Sequence, residues 1–418
     1  MLSNFANVFK VPELRNKIIF TLTMFAIFRM LAHIPVPGVN PSVIEQLFNS
    51  GNLFGLLDMF SGGALSKFSV VAMSITPYIN ASIILQLLKV VVPTLEQWSK
   101  EGEEGFKKTN QLTRQFTVIL CFFQAFGMAY GLRMAINNPG ILSMSMIALT
   151  LTAGTMLLMW IGEQMTAKGL GNGISLIIFA GIVSRMPDGV KILLQYLNAG
   201  TVSLVNVILF IVIALSAIGF VVMISEGIRK VPIQYAKRVV GHKSYGGSSS
   251  YLPLKVNQAN VMPIIFASSV LMFPSTIAQF VDTPAVKTFA DYFRWGTPLQ
   301  TTLYLLMIFF FTYFYTAVAL NITELSDNLK KNGGFVPGIR PGQATVDYLD
   351  GVMSRITLAG ALFLAVLAFM PNVIAWITHI EGIYFGGTAL LIVVGVALET
   401  LKQAESMVIM RHYHGFMG

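Results

Sequence analysis

The sequence predicts an all-α membrane protein with ten transmembrane helices. Hydrophobic residues make up 55% of the 418 positions and charged residues only 11%, whereas soluble domains carry about 25% charged residues. The apolar residues gather into ten stretches, most of them near the roughly 20 residues that a bilayer crossing requires. With the first residue on the cytoplasmic side, 21 of the 28 Lys and Arg fall on that side and six on the other, with Arg29 inside the first stretch. Basic residues distribute in this way around membrane helices, with the excess in the cytoplasm.

The first stretch, near 18–36, follows "MLSNFANVFKVPELRNK", which is too polar for a cleaved signal peptide. It is expected to be a permanent span, ended by Pro35, Pro37 and Pro41. Then comes "NLFGLLDMF", with Asn52 as a plausible N-cap and Ser61-Gly62-Gly63 as its end. It is apolar but too short to cross. It either folds back at membrane depth against protein or a water-filled cavity, or lies as an interfacial helix on the outer surface.

The second stretch, 70–92, reads as a helix kinked by Pro77 and dotted with Ser74, Thr76, Asn80, Ser82 and Gln86. At 100° per residue, Ile75, Ile79, Ser82 and Gln86 share a stripe about 60° wide. Gln86 costs free energy in hydrocarbon unless partnered, so the stripe faces protein or water. Small polar residues packed against neighbouring helices would look the same. The third and fourth stretches lie near 115–134 and 142–164; Cys121, the single cysteine, reads as a small buried hydrophobe. The fifth, 173–190, is short. Removing it would place the six basic residues of 229–255 outside, so it is kept. The remaining stretches, near 203–224, 258–280, 299–321, 355–377 and 380–400, leave both termini cytoplasmic.

Two cytoplasmic loops are long. Residues 225–257 set Arg229, Lys230, Lys237, Arg238, Lys243 and Lys255 against Glu226, and the alternation in "KVPIQYAKRVV" predicts a strand. Residues 323–355 carry Lys330, Lys331 and Arg340 on a tip shaped by Gly and Pro pairs. Such basic protrusions suit RNA phosphate or an acidic protein surface. Anionic lipid head groups, or solvent alone, are the plainer partners.

Chemistry is sparse. No Asp, Glu, Lys or His sits at the centre of a stretch, since Glu163, Glu381 and Glu399 lie toward ends; this disfavours an ion-coupled carrier. "GLGNG" (169–173) lacks the soluble strand of a dinucleotide fingerprint. His412 and His414 are weak evidence for a metal. No nucleophile–base pair is visible, so no catalytic residue, cofactor or metal is expected. Branched aliphatics recur instead near Gly or Pro, at Ile174, Ile178, Ile264, Ile265 and Ile392. Meeting at one level they would form a dry constriction that excludes ions; taken singly, each is ordinary core.

Long motifs run in order along the chain: "FRMLAHIPVPGV", "MFSGGALSKFSVVAMSITPYINASIILQLL", "MWIGEQMTAKGLGNGIS", "LPLKVNQANVMPIIFASS", "DNLKKNGGFVPGIRPG" and "YFGGTALLIVVGVALE". Together they resemble the SecY family of bacterial protein-translocation channels over essentially the whole length. The resemblance implies two inverted five-helix halves, 1–190 and 191–418, around a central pore. It implies that 52–66 folds back as a short re-entrant plug helix, with Asn52, Leu53, Phe54, Leu56, Leu57, Met59, Phe60, Ser61, Gly62 and Gly63 as its matching residues. The family's pore ring falls on Ile75, Ile79, Ile174, Ile178, Ile265 and Ile392. A lateral gate between spans 2–3 and 7–8 falls on Gln86, Gln124 and Asn257. Docking charge for the ribosome (rRNA and ribosomal proteins) and the SecA motor matches Arg229, Lys230, Lys237, Arg238, Lys243, Lys330, Lys331 and Arg340. Many members carry paired arginines where this chain has His242 and Lys243. The other implied partners are SecE, SecG, signal peptides and nascent chains, beside anionic lipids, and the implied home is the bacterial inner membrane. The rival readings are a small-molecule transporter, a membrane insertase without a through-pore, and a membrane enzyme.

Overall fold

A computed structural model of the chain describes residues 11–40, 43–44, 58, 61–235, 238–240, 243–245, 249–280, 292, 297–378 and 387–414. Its helices are α1 (Pro12–Leu31), α2 (Thr76–Val91), α3 (Pro93–Lys100), α4 (Glu103–Gly131), α5 (Ile141–Lys168), α6 (Gly173–Asn198), α7 (Leu204–Glu226), α8 (Met262–Phe280), α9 (Pro298–Ala319), α10 (Ile322–Lys331), α11 (Gln343–Thr378) and α12 (Gly387–His414). Among the described residues, ten of these have 16 residues or more, and each overlaps one apolar stretch. By length and apolarity alone, five qualify as membrane-crossing: α4, α5, α7, α9 continued by α10, and α11. Helices α2 and α3 would be a sixth only as one span broken by a bend of 103°.

Local chemistry sets the helix starts. Asn172 caps α6, its side chain accepting from the backbone N–H of Ile174 (3.1 Å) and Ser175 (3.3 Å). Thr297 and Asn321 cap α9 and α10 in the same way. The "GLGNG" motif is thus a helix entry: Gly171 takes a left-handed φ of 83°, and its N–H donates to Gln403 Oε1 on α12 at 2.5 Å. Leu170 N–H donates to Thr21 Oγ1 on α1 at 3.2 Å.

The second stretch differs from its expectation. Residues 62–75 form successive turns, and α2 begins only at Thr76, with Pro77 in its first helical turn. There proline's missing N–H leaves no intrahelical bond unmade, so it starts the helix without kinking it. The sharp bend lies at the other end, where Val92 turns extended before Pro93.

Helix α4 presents Gly105, Thr109, Thr113, Thr117, Cys121, Ala125 and Ala129, all buried and spaced every fourth residue. Each threonine bonds the carbonyl four residues back at 2.7–2.9 Å, which satisfies its hydroxyl inside the bundle. The small stripe lets α4 approach α5 and α2 closely. The bidentate pair of Arg114 with Glu163, 2.9 and 2.7 Å, ties α4 to α5.

The long loops carry the sheet. Strands β1 (Ile228–Tyr235), β2 (Arg238–Val240), β3 (Lys243–Tyr245), β4 (Ser249–Lys255) and β5 (Gly334–Phe335) form a three-stranded sheet of order β4-β1-β5 and a β2–β3 ladder. Strand β1 pairs antiparallel with β4 from Ile228↔Lys255 to Gln234↔Ser249, and β5 joins at Gln234↔Phe335. The strand expected in "KVPIQYAKRVV" is therefore β1 and β2.

Glycine tolerance checks the packing. A Cβ on Gly154 of α5 would land on the Val70 carbonyl, whereas one on Gly219 of α7 meets open space. Gly154→Ala is expected to lower stability by about 1–3 kcal/mol, and Gly219→Ala to raise it by roughly 0.5–1 kcal/mol. Thermal unfolding of the detergent-solubilised chain, followed by tryptophan fluorescence, measures both.

Candidate functional site

One apolar cluster occupies the middle of the bundle. Its buried members come from α1, α2, α5, α6, α7, α8, α9, α11 and α12, together with Ala64, Val71 and Val261 from turns. Within it lie Ile75, Ile178, Ile265 and Ile392, all buried, and Ile79 and Ile174 pack half-buried against the cluster. These six side chains come from α2 and the residue before it, α6, α8 and α12, separated by up to three-quarters of the chain. Ile264 joins the same cluster, fully buried.

A polar cavity of about 410 Å³ abuts this cluster on the side of the β-arms. Asn172, Ser175, Glu226, Lys255, Gln258, Tyr315, Glu399 and Lys402 line it. Val261 and Val396 belong both to its wall and to the apolar cluster. The Lys402–Glu226 ion pair, 2.8 Å, joins α12 to α7 at its edge. Polar chamber and apolar cluster therefore succeed one another directly. Sequence reading missed this ion pair, because nothing local links Glu226 to a lysine 176 positions away.

Helix α8 packs directly against α4 and α2, while α9 lies against α8 and α11. The three polar residues expected along this seam do not bond one another. Gln86 is half-buried and donates through Nε2 to Ser82 Oγ of its own helix at 3.3 Å. Gln124 is half-buried on α4. Asn257 is buried ahead of α8, where it also lines the cavity; its Nδ2 donates to the Asn260 carbonyl at 3.2 Å and its Oδ1 has no partner. Asn80, on α2, has a buried Oδ1 that is likewise unpartnered. The bonds that Gln86 and Asn257 make are local, to partners three or four residues away in the chain.

Of the expected plug residues, Asn52, Leu53, Phe54, Leu56, Leu57, Met59 and Phe60 lie outside the described residues. Ser61, Gly62 and Gly63 are buried. Asp58 is buried too, and organises the turn that contains them. Its carboxylate accepts from the Ser66 N–H (2.8 Å) and Ser61 Oγ (3.3 Å), and it pairs with Arg185 of α6. Arg29 of α1 donates from Nη1 to the Gly62 carbonyl (2.7 Å) and to Ser184 Oγ (2.9 Å). Sequence reading singled out neither Asp58 nor Arg185. Arg29 offered the one signal, an ionisable residue inside a span.

Among the docking positions, Arg229, Lys230, Lys330, Lys331 and Arg340 are exposed. Lys230 stands over the Tyr251 ring, 4.7 Å from its centre. The other four form no ion pair among the described residues. Lys237 and the side chains of Arg238 and Lys243 lie outside the described residues. The two basic arms are one body: Val231 and Leu254 of the hairpin share a core with Val336, Leu349 and Met353 of the second arm.

The family model for SecY matches residues 69–401. This chain belongs to the SecY family. It is 46% identical to the protein translocase subunit SecY of Halalkalibacterium halodurans over 430 residues, covering 100% of both chains. It is 46% identical to that of Bacillus subtilis over 430 residues, again with 100% of both covered, and 44% identical to that of Aquifex aeolicus, covering 98% of each. Among solved structures it resembles a protein-conducting channel with a TM-score of 0.66 at 17% identity, over 94% of this chain and 92% of that one. It also resembles Sec61 of the canine ribosome-channel complex from the endoplasmic reticulum, with a TM-score of 0.64 at 17% identity and the same coverage. These two likenesses establish the SecY fold.

The shared core makes a prediction about the arms. Met353→Ala on α11 is expected to cost that core about 2–5 kcal/mol. Amide hydrogen exchange should then quicken in the β1–β4 hairpin as well as in α10, although the substitution lies in neither.

Proposed function

We propose that this chain is the channel subunit of a protein translocase, passing unfolded polypeptides through the bundle and releasing apolar segments sideways into lipid. SecY is a protein-conducting channel subunit and not an enzyme. The single observation that carries the detailed reading is the membership of six isoleucines from four distant parts of the chain in one apolar cluster, which shares Val261 and Val396 with the wall of a cavity. A dry aliphatic constriction excludes ions by dewetting, yet deforms around a passing chain because aliphatic contacts are non-directional.

In this reading all ten long helices cross the bacterial inner membrane, with both termini in the cytoplasm. Two inverted halves, α1 to α6 and α7 to α12, flank the passage; five crossings per half permit that inversion. Contacts of α6 with α12, and of α8 with α2 and α4, join the halves. The second of these seams is the lateral gate, with Gln86, Gln124 and Asn257 along it. A signal peptide or membrane segment parts it, then leaves into lipid, drawn by burial of about 20 apolar residues. The fold-back near 52–66 closes the resting passage as a plug. SecE and SecG complete the complex, and the exposed cations of the fused arms receive the ribosome or SecA.

Two experiments test this reading. A photocrosslinker at residue 79, in membranes holding an arrested secretory chain, should label that chain, whereas one at the exposed Leu149 should label lipid. Equal labelling from both positions would remove the ring from the passage. Replacing Lys330, Lys331 and Arg340 by Glu should weaken ribosome binding in a co-sedimentation assay, most strongly at low salt, where electrostatic attraction is least screened. Undiminished binding would move the docking surface elsewhere.

A further inference from the structure

The segment 58–66 is fastened to the bundle by charge. Asp58 is 1% exposed. Its carboxylate serves two ends at once: inward it orders the turn through the Ser66 N–H and Ser61 Oγ, and outward it pairs with Arg185. Arg185 also reaches Ser66 Oγ (3.5 Å) and Asp188 (3.4 Å). Arg29 grips the opposite side of the turn through the Gly62 carbonyl and braces itself on Ser184. Gly62, at φ 66°, lies so close to α6 that a Cβ there would stand 2.9 Å from Gly181 Cα and from Ser184 Oγ. Every one of these anchors belongs to α1 or α6, while Ala64 and Leu65 of the same turn sit in two different apolar clusters.

We infer that Asp58, Arg29 and Arg185 form an electrostatic latch, which holds Asp58 and the 61–66 turn against α1 and α6 and sets the threshold for clearing the passage. This rests on the reading of 52–66 as the closing segment. A buried carboxylate is stable while its cation is in place, and removing one partner of such a pair is strongly destabilising. Displacement into water rehydrates both charges, whereas a half-displaced turn would leave the carboxylate buried and unpaired. The latch therefore favours two states, seated or released, over a continuum. Because its anchors come from one half only, the seated turn travels with α1 and α6 and leaves α8 and α12 free to shift past it.

Planar bilayers fused with membranes containing the full-length chain and its native partners supply the test, read as resting ion leak. Asp58→Asn and Arg185→Gln should each raise the leak about tenfold or more, and Arg185→Lys, which keeps the charge, should leak less than Arg185→Gln. Gly62→Ala pushes the turn off α6, its Cβ standing 2.9 Å from Gly181 Cα and 3.3 Å from Arg29 Nη1, and should also raise the leak. Equal amounts of extractable, monodisperse protein show that the variants fold. Wild-type leak in either Asp58→Asn or Arg185→Gln, or Arg185→Lys as leaky as Arg185→Gln, would overturn the latch. Deletion of 58–66 separates the two levels: a leaky deletion beside tight single variants defeats the latch alone, whereas a tight deletion defeats the closing-segment reading with it.

Discussion

The fold depends on one apolar contact region shared by most of its long helices. Side chains from nine helices converge on one cluster, and a polar chamber opens directly onto it. In water such a cluster would be a core; in a membrane its neighbours outside are lipid tails, equally apolar, so hydrophobicity alone does not hold it shut. Shape and small residues must do so. Beside it, the Gly105-to-Ala129 stripe of α4 and the contact of Gly154 with the Val70 backbone show how small residues bring elements together in the neighbouring cluster.

Polar groups differ between the seams in whether their bonds cross an interface. Along α8 the buried Asn257 spends its donor on a local carbonyl and leaves its acceptor unbonded, and Gln86 bonds within its own helix. Neither binds the opposing helix. On α4 and α5, by contrast, Arg114 and Glu163 meet through two charge-assisted bonds. The difference between one seam and the other is the difference between contacts that cross an interface and contacts that stop short of it.

Much of this was legible in the residues, because hydropathy and loop charge report directly on the bilayer. The ten apolar stretches each overlap a long helix, and alternation over 230–240 reads as strand because β1 buries Val231 and Ile233 and exposes Lys230, Pro232 and Gln234. What failed, failed for a local reason or a distant one. Pro77 was taken as a kink because its position in the first turn depends on the strained turns before it, including Ser74 at φ 51°. The polar first turns of α4 and α11 lie outside the apolar stretches because charged residues continue a helix without any apolar signal. The common core of the two arms and the ion pair of Asp58 with Arg185 join residues far apart in the chain, and no periodicity encodes such a meeting. The long motifs supplied the family, but they did not reveal which side chains fasten 58–66.

Open-state conductance of single channels in planar bilayers, with the isoleucines at 75, 79, 174, 178, 265 and 392 replaced by glycine, measures the constriction most directly. A wider, wetter opening should carry a larger current than the unaltered channel, while glycine at exposed positions such as Leu149 and Leu215 leaves it unchanged. Unchanged current through the six-fold variant would mean that ions cross elsewhere, and that the aliphatic cluster is packing alone.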